Sequence, residues 1–239
     1  MKKSAFTLIE LSIVLIIIGL IIGSILGGQE LIKQAKIRSL ITEMNGLKTS
    51  LNAFKLKYDF YPGDLPNATT FWPSTTNGNG DANVNNSEPY YVFQQLGLSQ
   101  IIPGSYMGGP SGGSYGYLYG QNTYASKYTP AVYVLFGSAT FFSKNWLTLF
   151  TIGSMDATSC SVNDSYNGGF ITPADAYSID LKIDDAIPSS GRLLAIRACA
   201  YVSNSSKCIS SDQYTYTPGG ASYLLNDSST SCRLELIIE

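Results

Sequence analysis

The pattern of hydrophobic and polar positions begins with a long apolar run. From Phe6 to Leu26, 15 of 21 residues are Leu, Ile, Val or Phe, and the one charged residue is Glu10. A helix rises about 1.5 Å per residue, so this run can cross the roughly 30 Å hydrocarbon core of a bilayer. The apolar side chains favour insertion by roughly 7 kcal/mol, whereas a carboxylate costs about 2.5–3.5 kcal/mol at the centre. We therefore predict a transmembrane helix over residues 6–28.

The cations around the run predict its orientation. Lys2 and Lys3 precede the run, and the next cation is Lys33. By the positive-inside rule, the N-terminus lies in the cytoplasm and the rest of the chain lies outside it. A secretory signal peptide would have a shorter apolar core followed by a small-residue cleavage site, and the sequence around Ser24 to Gln29 does not provide such a site.

A second pattern continues the helix beyond the apolar run. Apolar residues step by three and four positions, which predicts one stripe along a helix. The stripe contains Ile37, Leu40, Met44, Leu47, Leu51, Phe54 and Tyr58. Packing on a sheet is favoured over a coiled coil, because a globular domain that needs a partner follows. The amphipathic half is predicted over residues 29–61, and Tyr61-Pro-Gly-Asp64 ends it.

The remaining residues, 62–239, predict a globular domain with an antiparallel sheet. A loop over 62–87 precedes a short helix from Glu88 to Ser99, and a Tyr- and Gly-rich stretch covers 104–130. Runs of β-branched and aromatic residues predict strands at 131–135, 141–142, 147–152, 192–202 and 233–238. The fold class is therefore α+β. For the tyrosines of 104–130, packing inside the domain is favoured over a sticky exposed face.

Composition narrows the function classes. The formal charge is −2 and 13% of residues are charged, which disfavours a basic nucleic-acid surface. The chain has no histidine, the commonest general base, so we do not expect an enzyme. Four cysteines outside the cytoplasm predict two disulfides. Of the three possible pairings, we favour Cys160–Cys199 with Cys208–Cys232.

The loop before the short helix contains a candidate calcium site. Its spacing resembles a twelve-residue calcium loop, with the last ligand at Glu88. The candidate oxygen ligands are Asn77, Asn79, Asp81, Asn83, Asn85 and Glu88. Two residues depart from the pattern: Asn77 replaces the leading Asp, and Ala82 replaces the Gly of the sharp turn. A cluster of Asn-Gly turns without a metal is the alternative interpretation.

The start of the chain resembles a known processing signal. Lys2-Lys-Ser-Ala-Phe-Thr-Leu-Ile-Glu-Leu11 is similar to the N-terminal cleavage and methylation motif of type IV prepilins and type II secretion pseudopilins. The family usually has Gly where this chain has Ala5. The resemblance implies a leader peptide over residues 1–5, cleavage between Ala5 and Phe6 by prepilin peptidase, and N-methylation of Phe6. It also implies that Glu10 pairs with the Phe6 amine of a neighbouring subunit during assembly. The alternative is that Glu10 only reaches the lipid headgroups.

A second segment resembles the same family. Ile179-Asp-Leu-Lys-Ile-Asp-Asp-Ala-Ile-Pro188 is similar to an acidic segment of many prepilin-like proteins, with Ala186 in place of a Gly. Asp180, Asp184 and Asp185 are interpreted as turn formers whose side-chain oxygens accept from backbone N–H groups, and a bound cation is the alternative. Nothing apolar in the segment isolates one of these carboxyls, so we do not expect an acid–base pair.

Together, these features predict a pilin fold and a structural subunit of a type IV pilus or a type II secretion pseudopilus. The resemblance implies other pilin-like subunits, prepilin peptidase and an inner-membrane assembly platform as partners. The expected location is the inner membrane, with one pass and a periplasmic domain, followed by a filament. The alternative is a minor or tip pilin that acts as an adhesin or a DNA-uptake module, although the acidic charge makes DNA the weaker ligand.

Overall fold

A computed structural model describes residues 7–109, 116–128, 131–137, 139–141, 144–146, 149–154, 168–198, 208–210 and 220–238. The chain divides into two compact units, Met1–Ser39 and Leu40–Glu239. One helix, α1 (Leu8–Tyr58), runs through both sequence ranges. All the large apolar side chains from Leu8 to Ile25 are exposed. Among the described residues, α1 is the one helix long and apolar enough to cross a membrane.

The amphipathic part of α1 packs inside the second unit. Leu40, Met44, Leu51 and their stripe neighbours are buried, each less than 5% exposed up to Phe54. The Lys48 ammonium donates to the Ile237 carbonyl of the last strand at 3.3 Å. The stripe residues from Leu40 to Phe54 thus contribute to the core of the second unit.

In the part of the chain that the structure describes, the main sheet has five antiparallel strands. They are β1 (Tyr124–Ala125), β2 (Ala131–Phe136), β5 (Leu149–Ser154), β6 (Leu193–Arg197) and β7 (Cys232–Ile237). Their order in space is β1-β2-β5-β7-β6. A separate hairpin joins β3 (Ala139–Phe141) to β4 (Lys144–Trp146). A long helix together with an antiparallel sheet is consistent with the predicted α+β class.

The last strand lies inside the sheet between two neighbours. Its register pairs Glu235 with Thr151 on one side and with Leu194 on the other. All six β7 residues are buried, including Arg233 and Glu235. The alternation of Leu234, Leu236 and Ile238 suggests a strand with one apolar face, but in the folded chain both faces of β7 are covered.

The remaining helices are short. They are α2 (Ala68–Phe71), a 3₁₀ turn (Glu88–Tyr90), α3 (Val92–Leu98) and α4 (Pro173–Ile183). The prediction of a helix over 88–99 is confirmed, whereas α2, β1 and β4 were not predicted. Helix α1 ends at Tyr58, three residues before the predicted end. Asp59 adopts a left-handed backbone conformation (φ 64°) and its N–H bonds to the Lys55 carbonyl, which stops the helix.

One predicted disulfide is present. Cys208 and Cys232 are joined, with 5.0 Å between their Cα atoms. Their bond ties residues 208–210 to the start of β7. Cys160 and Cys199, the other predicted pair, lie outside the described residues, as do the leader residues 1–5 and Phe6.

Candidate functional site

The N-terminus of α1 is closed by a reciprocal pair of side chains. Glu10 Oε2 accepts hydrogen bonds from the Thr7 backbone N–H and hydroxyl, both at 2.8 Å. In return, the Glu10 N–H donates to Thr7 Oγ1 at 3.3 Å. This is a capping box, which satisfies N–H groups that a helix start leaves unpaired. The Thr-x-x-Glu spacing is a local signal for such a box, but no contact between Glu10 and Thr7 was predicted from the sequence.

The candidate calcium loop, residues 77–88, is organised around the carboxylate of Asp64, which the sequence did not predict as a ligand. Asp64, Asp81 and Glu88 each place one oxygen within 4.8 Å of the others. Asp64 precedes the twelve-residue window by 13 positions, so no local spacing could identify it. It is fully buried, whereas Asp81 is exposed. The tertiary fold therefore adds a third carboxylate to the two in the predicted loop.

Backbone N–H groups of the loop converge on the two buried carboxylates. Asp64 accepts from Gly80 (2.7 Å), Asp81 (3.1 Å) and Ala82 (3.0 Å). Glu88 accepts from Asn79 and Asn85 through its two oxygens, both at 2.9 Å. Ala82 takes a left-handed conformation (φ 64°), so the sharp turn forms without the expected glycine. These contacts fix the loop around its acids.

The predicted calcium ligands are only partly brought together. Asn77 is directed elsewhere, because its Oδ1 accepts from the Thr69 N–H at 2.8 Å. Asp81 and Glu88 belong to the three-carboxylate group, and Asn79 Nδ2 donates to Asp81 Oδ2 at 2.9 Å. The Asn83 Oδ1 atom is buried and accepts no hydrogen bond from the described residues.

The electrostatics of this group favour a cation. Burial raises the pKa of Asp64, the nearby charges of Glu88 and Asp81 raise it further, and N–H donors oppose the rise. Three carboxylates with amide oxygens nearby form a hard donor set of the kind that Ca²⁺ prefers. The group fits a calcium ion chemically, with Asp64, Asp81 and Glu88 as the carboxylate ligands.

The second acidic segment forms the end of α4 and the turn after it. Thr172 caps the helix by accepting from the Asp175 N–H at 3.2 Å. Asp184 accepts from the backbone N–H groups of Asp185, Arg192 and Leu193. Asp185 accepts from the Ile187 N–H at 2.9 Å and from the Ser190 hydroxyl at 2.6 Å. The prediction of turn formers is therefore confirmed for Asp184 and Asp185.

Asp180 behaves differently from Asp184 and Asp185. The expectation that nothing isolates one of these carboxyls from water was wrong for this residue. It lies inside α4, is fully buried, and accepts from the Tyr223 hydroxyl at 2.7 Å. Burial, the hydrogen bond with Asp184 and the charges of Asp184 and Asp185 raise its pKa to about 8. The sequence did not show that a distant segment covers this carboxyl. Because Asp180 has no exposed surface, a substrate cannot reach it, so the shift does not indicate an active site.

A further buried acid lies in the middle of the sheet. Glu235 accepts from the Thr151 hydroxyl at 2.6 Å and faces the Arg233 guanidinium at 3.6 Å. Burial raises its pKa to about 7, while Arg233 and Thr151 act in the opposite direction. Sequence reasoning could not find this group, because polar residues at alternate positions normally indicate the exposed face of a strand.

The tyrosines of the 104–130 stretch mostly pack against other aromatic rings. Tyr117 is buried and stacks on Tyr90 with ring centroids 4.6 Å apart. Tyr106 and Tyr124 both contact Phe93, at 5.8 and 6.0 Å. The prediction of packing inside the domain is confirmed for these tyrosines, and Tyr115 lies outside the described residues.

No family model, curated protein or solved structure matches this chain.

Proposed function

We propose that this chain is a pilin-like structural subunit of an envelope filament, either a type IV pilus or a type II secretion pseudopilus. The observation that carries the proposal is the single helix α1. Its large apolar side chains from Leu8 to Ile25 are exposed, whereas Leu40 to Phe54 supply stripe residues to the core of a domain. An apolar helix surface of this length needs a bilayer or other helices around it. A filament subunit uses both, the bilayer before assembly and neighbouring helices afterwards.

Processing and orientation follow from the sequence around this helix. Lys2 and Lys3 hold the N-terminus in the cytoplasm, where prepilin peptidase cuts between Ala5 and Phe6 and methylates the new amine. The domain after α1 lies in the periplasm. The assembly platform then moves the subunit out of the inner membrane into the growing filament.

Glu10 acts as the assembly contact. In the single chain, Thr7 donates two hydrogen bonds to one oxygen of its carboxylate. These bonds stabilise the carboxylate but do not neutralise its charge, which is costly in an apolar environment. A neighbouring subunit neutralises it through the amine of Phe6. The incoming helix is thereby placed in register with the helix that precedes it.

Two substitutions at Glu10 separate charge from capping. Glu10→Ala removes both, whereas Glu10→Gln retains the hydrogen-bonding side chain that a capping box accepts. We expect both variants to enter the membrane like the unmodified chain and to yield almost no sheared filaments. The matched control is Glu30→Gln on the same helix, where the side chain accepts from Gln34 and filament yield should not change.

The outcomes of this experiment are distinct. Normal filament yield from Glu10→Gln would show that assembly depends on the helix cap and not on the charge. Normal yield from Glu10→Ala as well would refute any role of Glu10 in assembly. Loss of membrane insertion in either variant would place the defect before assembly.

A minor or tip pilin is the second candidate within the same machine. A repeating subunit would be present in thousands of copies per filament and a tip subunit in a few, so quantitative mass spectrometry of purified filaments separates them. The packing of Tyr106, Tyr117 and Tyr124 within the domain favours the structural role over an adhesive tyrosine face.

A further inference from the structure

Two carboxyl groups, those of Asp180 and Asp184, lie close together at the end of α4, each with an oxygen within 4.8 Å of the other. Asp180 is fully buried and its Oδ2 accepts from the Tyr223 hydroxyl at 2.7 Å. Its other oxygen, Oδ1, is also buried and has no hydrogen-bond donor among the described residues. The nearest described carboxylate is that of Asp184, which places an oxygen within 4.8 Å of an oxygen of Asp180. A buried polar oxygen without a donor is rare in folded proteins and therefore requires an explanation.

Asp184 cannot supply the missing donor while it is ionised. Its oxygens already accept from the backbone N–H groups of Asp185 (2.9 Å), Arg192 and Leu193 (3.1 Å). Two ionised carboxylates in contact repel each other strongly in a buried environment, whereas one proton between them removes the repulsion and provides the missing hydrogen bond.

We propose that Asp180 and Asp184 bind one proton between them. This proton stabilises the junction of the end of α4 with the start of β6 and with residues 208–210, which the Cys208–Cys232 disulfide holds. The proton resides on Asp180, because Asp184 has three N–H donors that favour its ionised form. Deprotonation of the pair introduces a second negative charge, on the fully buried Asp180, and weakens the junction. The pair thus makes the folding stability of the domain depend on pH. This effect does not depend on filament assembly.

The segments joined by the pair converge from distant parts of the chain. Asp184 holds the first residues of β6 through Arg192 and Leu193. The backbone of Tyr223 pairs with that of Ile209 in an isolated antiparallel β-bridge, next to the Cys208–Cys232 disulfide. Helix α4 also packs against β6 and β7. Loss of the proton therefore acts together on α4, on the start of β6 and on the described residues around Tyr223 and the disulfide.

The surrounding charges favour retention of the proton. Burial, Asp184 and the Asp185 charge raise the pKa of Asp180 to about 8, and the Tyr223 hydroxyl opposes the rise. N–H donors and the hydrogen bond with Asp180 lower the pKa of Asp184 despite its partial burial. The other titratable or charged groups on the segments packed here are Asp175, Tyr177, Lys182, Arg192, Arg197, Arg233 and Glu235. Lys182 and Arg192 direct their cationic groups to the carbonyls of Ser178 and Ile183.

The sign of the pH dependence follows from proton linkage. Below the ordinary aspartate pKa, the folded and unfolded chains both hold this proton. Between that pKa and about pH 8 only the folded chain holds it, so the unfolding equilibrium constant increases about tenfold per pH unit. Above about pH 8 neither state holds the proton. The stabilising effect is therefore present at low pH and lost as pH rises to about 8.

The test compares the full chain in detergent with Asp180→Asn between pH 5.5 and 9. Asparagine has the same shape, accepts from Tyr223 and donates an N–H to Asp184 without a titrating proton. We expect the ratio of the wild-type unfolding constant to that of the variant to rise about tenfold per pH unit up to about pH 8. The variant should be the more stable protein at pH 9. The ratio excludes the contribution of Glu235, which titrates in both proteins.

Asp227→Asn, at a carboxylate that accepts from Ser229 in another turn, is the control and should leave the slope unchanged.

Two results would overturn the proposal. One is a ratio that does not change with pH. The other is a melting shift on adding calcium that the wild type shows and Asp180→Asn lacks, because a metal ion would then occupy the place of the proton.

If Asp180→Asn does not fold, the unmodified chain still provides an answer. Infrared spectra of protein labelled with ¹³C at the aspartate side-chain carboxyl report aspartates separately from glutamates. We expect a protonated aspartic acid band at pH 7 that disappears as pH rises through about 8. Full ionisation of the labelled aspartates at pH 7 would overturn the proposal.

Discussion

Replacement of Ala186 by glycine should stabilise the protein. Ala186 lies in the turn between α4 and β6 with φ at 61°, in the left-handed region. The conformation is imposed by its neighbours, because Asp185 accepts from the Ile187 N–H and so closes the turn around Ala186. Alanine has a Cβ atom that crowds the following carbonyl in this region, at a cost of roughly 1–2 kcal/mol. Glycine removes that cost.

The expected gain is smaller than the full strain. Glycine increases the conformational entropy of the unfolded chain, which offsets about 0.4–1 kcal/mol. With mid-range values of about 1.5 kcal/mol for the strain and about 0.7 kcal/mol for the entropy, the net stabilisation is about 0.8 kcal/mol. For a unit of this size, 1 kcal/mol corresponds to a change of about 2–4 °C in the melting temperature, so Ala186→Gly should raise it by about 1–4 °C.

The assay is thermal unfolding of the full chain in detergent, with Ala176→Gly as the matched control. Ala176 is buried in the interior of α4, where glycine costs about 1 kcal/mol or more. The two substitutions are chemically identical and should shift the melting temperature in opposite directions. A lower melting temperature for Ala186→Gly would refute the reasoning that the backbone at this position is strained.

Two further predictions concern stability. Replacement of Cys208 and Cys232 together by serine should lower the free energy of unfolding by about 3.5 kcal/mol, because the bond closes a loop with a sequence separation of 24. Denaturant titration of the full chain measures this, and a change below about 1 kcal/mol would contradict it. Millimolar calcium should raise the melting temperature of the full chain, and Asp64→Asn should abolish the shift because Asp64 is a buried member of the three-carboxylate group. Asp59→Asn, at an exposed acid outside that group, is the control. The absence of a shift with the unmodified chain would exclude a structural calcium site in the loop.

Local patterns were sufficient for several elements. The step of three and four residues from Leu40 to Phe54 predicted a buried helix face, and these stripe residues are buried. Runs of β-branched and aromatic residues predicted the positions of β2, β5, β6 and β7 to within a few residues. These predictions succeed because helices and strands repeat over short distances that the sequence displays directly.

The candidate site was predicted less completely. Asp81 and Glu88 were identified from spacing, but Asp64 was missed because a turn of the chain, and not a local repeat, brings it to them. The Thr7–Glu10 capping box has a local spacing that the sequence displays, but it was not predicted, because the carboxylate was interpreted through partners outside its own helix.

By itself, the sequence determined where this protein is apolar along its length, and therefore the long helix, its exposed segment from Leu8 to Ile25 and its buried stripe. Only the tertiary structure decided the chemical state of its acids. Asp180 and Asp185 are five residues apart in one acidic segment, yet Asp180 is fully buried beside Tyr223 and Asp185 is exposed. The reason is physical: the pKa of a carboxyl depends on the water, charges and donors around it, and these are supplied by residues that are distant along the chain.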